Sequence, residues 1–87
     1  MIYAIELKKG ALKQLKKLNP TVRERIVEKI YLLAKDPFTV GSEQMSGLPY
    51  RKIRVGDYRV VYEVNRDVLI VLVIRVGHRR EVYRRLS

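Results

Sequence analysis

Lys52, Arg54 and Arg59 stand at alternating and facing positions of one stretch, Lys52-Ile53-Arg54-Val55-Gly56-Asp57-Tyr58-Arg59-Val60-Val61-Tyr62. Glycine at the first place of a two-residue loop suits a hairpin turned at Gly56-Asp57, which sets Arg54 opposite Arg59 and Lys52 opposite Val61. Strand alternation then puts Lys52, Arg54 and Arg59 on one face and Ile53, Val55, Tyr58 and Val60 on the other. Like charges at opposed strand positions repel. An anion seated among them relieves that repulsion; on a purely solvated face the long side chains splay apart instead. Downstream, Arg75, Arg79, Arg80, Arg84 and Arg85 surround His78 and Tyr83. A phenol or imidazole beside guanidinium groups stacks a base and holds its phosphate, as single-stranded RNA sites do. The plainer reading of this tail is a basic terminus. Tyr58 and Tyr62, on the apolar face, read as core.

Other chemistries fail for want of residues. One histidine and no cysteine cannot build an ordinary structural zinc site. Ser42, Ser46 and Ser87 are the three serines, none in a nucleophile elbow. No glycine-rich phosphate loop precedes a helix, and the nine carboxylates are scattered rather than clustered for two-metal catalysis. The expectation is therefore a protein without metal or cofactor. Nineteen Lys and Arg against nine Asp and Glu leave +10 on 87 residues, which calls for a polyanionic partner such as nucleic acid.

The same chain supplies elements to hold these side chains. Ile2 to Leu7 reads as a first strand. Ala11, Leu12, Leu15 and Leu18 recur at helical spacing, and Asn19-Pro20 starts a second helix with a cap and a preset φ. Val22, Ile26, Ile30 and Leu33 form its stripe, and it ends before Pro37. Phe38 to Pro49 reads as a loop. After the Lys52–Tyr62 hairpin comes a turn at Asn65-Arg66-Asp67. The almost unbroken apolar run Val68 to Val76 that follows, interrupted only by Arg75, reads as a strand buried on both faces. Residues 80–86 form a last helical turn or a loose tail. The order is βααβββ plus a short basic tail. This is an α+β fold, a single domain over residues 1–87, with an N-terminal αα-hairpin packed on one face of a small, mainly antiparallel sheet. The longest apolar run has seven residues, far below the roughly 20 of a membrane span. Met1 to Glu6 lacks a signal-peptide pattern, and the absence of cysteine suits a reducing, cytoplasmic setting.

Strand–helix–helix, the stretch from Leu48 to Val64 and the segment Val76-Gly77-His78-Arg79-Arg80-Glu81-Val82-Tyr83 together resemble the RelE-type toxins of the RelE/ParE toxin–antitoxin superfamily over essentially the whole chain. The resemblance implies a ribosome-dependent endoribonuclease that cuts messenger RNA in the A site. It also implies a cognate RelB-like antitoxin, and operator DNA as a further partner of the toxin–antitoxin complex. Its alternatives are a ParE-like inhibitor of DNA gyrase and a catalytically inactive basic module that binds RNA or the ribosome. Carried over by position, the family's first catalytic lysine is Lys52, its strand arginine Arg59, its tail arginine Arg79 and its tyrosine Tyr83. Arg54 stands at the second lysine position. His78 lies where the best-known member has lysine and some relatives use histidine.

Such cleavage removes the 2′-hydroxyl proton, forms a bond from that oxygen to the adjacent phosphorus and expels the 5′-oxygen. The products are a 2′,3′-cyclic phosphate and a 5′-hydroxyl. Arg54, Arg59 and Arg79 balance the charge that gathers on the phosphate. Arg54 cannot act as base, since a guanidinium keeps its proton. Lys52 is the favoured base, with His78 as rival. Tyr83 stacks a base.

Overall fold

The computed structural model describes residues 2–84. Arg85 and the end of the expected C-terminal turn lie outside them. Asn19 starts a helix as expected: its Oδ1 accepts the Thr21 N–H at 2.8 Å, and Pro20 takes the first helical position. The chain runs β1 (Ala4–Leu7), α1 (Lys9–Lys17), α2 (Pro20–Lys35), β2 (Glu43–Gln44), β3 (Arg51–Val55), β4 (Tyr58–Asn65) and β5 (Ile70–His78). The strands form one sheet in the order β1-β5-β4-β3-β2. β1 pairs with β5 in parallel, and every other pair is antiparallel.

The helical hairpin covers one sheet face. Ala11 and Leu15 of α1 and Ile26, Ile30 and Leu33 of α2 pack on Ile53, Val60, Tyr62, Val71, Val73 and Val76. The helix residues and Ile53, Val60 and Tyr62 are positions that the helical and alternating patterns mark as apolar. No helix of the described residues is long and apolar enough to cross a membrane.

Two strand expectations need correction. The segment read as a loop holds β2, two residues paired with β3 in the register Glu43↔Lys52 and Gln44↔Arg51. So short a strand leaves no period to read. The run from Val68 is also not a strand buried on both faces. Asn65 Oδ1 accepts the N–H groups of Asp67 and Val68 at 3.0 and 3.2 Å, and Leu69 takes a left-handed φ of 55°, so the turn persists until Ile70. Within β5 only Val71, Val73 and Val76 are buried, while Leu72 and Ile74 are half-buried.

The odd spacing from Val73 to Val76 has a cause. Val61 pairs with Arg75 and Tyr62 with Val73, which leaves Ile74 as an inserted residue. Such a bulge resets which side chains face the core. It returns Val76 to the core and turns Arg75 and Gly77 to the opposite face.

Candidate functional site

Opposed residues of an antiparallel pair share a sheet face, so the register alone lines up the site. One row across the sheet reads Glu43, Lys52, Val61, Arg75; the next reads Arg54, Arg59, Gly77. Both lie on the face away from the helices, because Ile53 and Val60, one residue out of step, enter the core. Arg54 and Arg59 are direct partners, as the hairpin predicts. Gly56, at the first loop position, has a φ of 59°, a conformation glycine adopts without strain.

A polar cleft of about 210 Å³ opens here, lined by Gly41, Glu43, Lys52, Arg54 and Arg59. Lys52 is half-buried, with Nζ 3.9 Å from Glu43 Oε2 and 5.3 Å from the centre of the Tyr83 ring. Arg59 folds back on its own turn, where Nη1 donates to the carbonyls of Gly56 and Tyr58 at 3.0 and 2.9 Å. Arg54 is exposed.

The C-terminal segment brings Tyr83 to Lys52 by folding back after β5. His78 O accepts the N–H groups of Glu81 and Val82 at 2.9 and 3.0 Å, and Arg75 Nη1 donates to the carbonyls of Val82 and Arg84. Val82 packs over Gly77, where a β-carbon would make an ordinary van der Waals contact at 3.7 Å from Val82 Cβ. Arg79 is exposed, and its backbone N–H donates to Asp57 O at 2.8 Å, which ties the segment to the hairpin turn.

His78 does not join this group. It pairs with Tyr58 in the β4–β5 register, their rings edge to face at 5.7 Å, so it lies on the helix side of the sheet. There it borders a separate cavity of about 240 Å³ with Gln14, Leu18, Tyr58 and Val76. Its Nδ1 accepts the Arg80 N–H at 3.3 Å. The structure thus gathers Lys52, Arg54, Arg59 and Tyr83, puts Arg79 beside the hairpin turn, and sets His78 on the other face. Sequence reading missed Glu43. Only the β2–β3 register reveals that its carboxylate lies beside Lys52. Among the described residues no group of three or more His, Asp and Glu is placed to hold a metal ion.

With this geometry in view, likeness to known proteins is informative. The family model for ParE toxins of type II toxin–antitoxin systems, parDE, matches residues 5–83. The mRNA interferase toxin RelE of Escherichia coli is 36% identical over 88 residues, covering 95% of this chain and 92% of that protein. Toxin RelG of Mycobacterium tuberculosis is 31% identical over 87 residues, covering 98% and 100%. The intact RelBE toxin–antitoxin complex of Escherichia coli contains a chain that superposes with a TM-score of 0.78 at 31% identity, over 87% of this chain and 95% of that one. The chain belongs to the RelE/ParE family of type II toxin–antitoxin toxins.

Proposed function

We propose that this protein is the toxin of a type II toxin–antitoxin pair, a cytoplasmic single-domain endoribonuclease that cuts messenger RNA in the ribosomal A site without a metal. One observation carries the reading: the register collects Lys52, Arg54 and Arg59 around one polar cleft, with the Tyr83 ring above Lys52. Fixed cations aimed at a phosphate stabilise the charge that develops as the 2′-oxygen attacks. Lys52 and Arg59 hold that phosphate, Arg54 and Arg79 add charge at its rim, and Tyr83 stacks a base. The ribosome contributes what a shallow cleft lacks, by holding the message in an attack-ready geometry. A RelB-like antitoxin neutralises the protein by covering this cationic face.

The test compares the same message on translating ribosomes and free in solution. Cleavage of the bound message alone, yielding a cyclic phosphate and a 5′-hydroxyl, supports the proposal. Equal cleavage of free message defeats its ribosome-dependent form. Blocked gyrase supercoiling with intact message moves the protein to the ParE branch.

A further inference from the structure

Glu43 is the one carboxylate lining a cleft whose other side chains are cations, and the short strand that carries it is tied down on both flanks. Before it, Ser42 Oγ contacts the Tyr62 hydroxyl and accepts from Arg51 Nε at 2.8 Å, while Ser42 O accepts from Arg51 Nη2 at 3.2 Å. After it, Gln44 Nε2 donates to the carbonyls of Leu48 and Tyr50, each at 2.9 Å. Between these anchors the Glu43 side chain is 71% exposed and meets Lys52 Nζ at 3.9 Å. An exposed ion pair of that length adds little stability, so stability does not account for the placement.

We propose that Glu43 is a further catalytic residue, the acceptor of the 2′-hydroxyl proton; this rests on the endonuclease reading above. An ionised carboxylate is acceptor-only. Arg54 and Arg59 cannot give up a proton, and Lys52, with Nζ 3.9 Å from Glu43 Oε2, stands beside the carboxylate where it balances phosphate charge. His78 stands on the other face. Glu43 takes the proton as the bond from the 2′-oxygen to phosphorus forms and the bond from phosphorus to the 5′-oxygen breaks. The departing oxygen is protonated by water, and the hydroxide so formed recovers the proton from Glu43. Lys52, Arg54 and Arg59 balance the phosphate charge throughout. This reverses the expectation from sequence, which gave the base role to Lys52. The reason is the Glu43↔Lys52 pairing.

Single-turnover cleavage at saturating ribosomes tests the assignment. Glu43→Gln keeps the shape and a hydrogen-bonding contact to Lys52 but removes the proton acceptor. It should lose about 10²–10⁴-fold in rate at unchanged ribosome affinity, and lose the acid limb of the pH–rate profile. Glu43→Asp should recover part of the loss. Lys52→Arg, which keeps the charge, should fall by no more than about tenfold. A Glu43→Gln rate within about threefold of wild type overturns the proposal, whatever Lys52→Arg does. A larger Lys52→Arg loss beside an intact Glu43→Gln returns the base role to Lys52. Wild-type protein that leaves ribosome-bound message uncut overturns the endonuclease reading and Glu43 with it, a result distinct from the failure of Glu43 alone.

Discussion

Tyr83 meets Lys52 through the face of its ring, 5.3 Å from Nζ, a cation–π distance. The platform, more than the hydroxyl, is what a stacked base needs. Tyr83→Phe should therefore keep message affinity nearly intact, whereas Tyr83→Ala should weaken it by about 1–3 kcal/mol, the usual worth of one stacked base. Titration of ribosomes programmed with uncleavable message measures both, and an equal loss in the two variants would assign the effect to the hydroxyl. Lys52, Arg54 and Arg59 were legible because period-two alternation and one turn determine their face. Tyr83 was marked by its arginine neighbours and by the family likeness, but its place beside Lys52 was not legible, since a sequence does not say where a tail folds back. His78, adjacent to Arg79 in sequence, falls on the core side because Tyr58 is its cross-strand partner. Glu43 gave no signal at all: nothing in Gly-Ser-Glu-Gln-Met distinguishes its carboxylate from a solvated one.

Among the elements, what was legible was local. Both helices, the cap at Asn19 and the β3–β4 hairpin follow from neighbours a few residues apart. The β1–β5 parallel pair, the Ile74 bulge and β2 depend on residues far apart in the chain, and no local pattern encodes them. β2 in particular is held by side chains. Tyr62, fully buried, donates its hydroxyl proton to Pro37 O at 2.6 Å and contacts Ser42 Oγ, which Arg51 also reaches. The Arg51 guanidinium lies 5.0 Å from the centre of the Phe38 ring, fastening the same loop to β3. Removing the hydroxyl leaves Pro37 O with the longer Ser42 contact of 3.3 Å. Tyr62→Phe should thus cost about 1–2 kcal/mol, seen as a lower urea midpoint at an unchanged slope. An unchanged midpoint would mean that water takes over the role of the hydroxyl.

Across the whole molecule the dominant quantity is charge. The chain carries +10, and among the described residues a single ion pair, Glu43 with Lys52, is formed. An internal ion pair leaves the net charge unchanged, so the whole excess is there to attract an acidic partner. Long-range attraction acts on encounter, while desolvated apolar contacts decide how long a complex lasts. Leu12 of α1 and Tyr31 and Leu32 of α2 are exposed, so apolar surface for such contacts exists beside the basic residues. For the complex with its antitoxin, raising salt from about 0.05 to 0.5 M should slow association by about 10–100-fold, as screening shortens the reach of the field. Dissociation should change by no more than about threefold over the same range. Stopped-flow association and competitor-chase dissociation measure the two rates separately. Were dissociation to accelerate strongly while association stayed constant, the complex would be held by exposed ion pairs, and the +10 would play no part in partner capture.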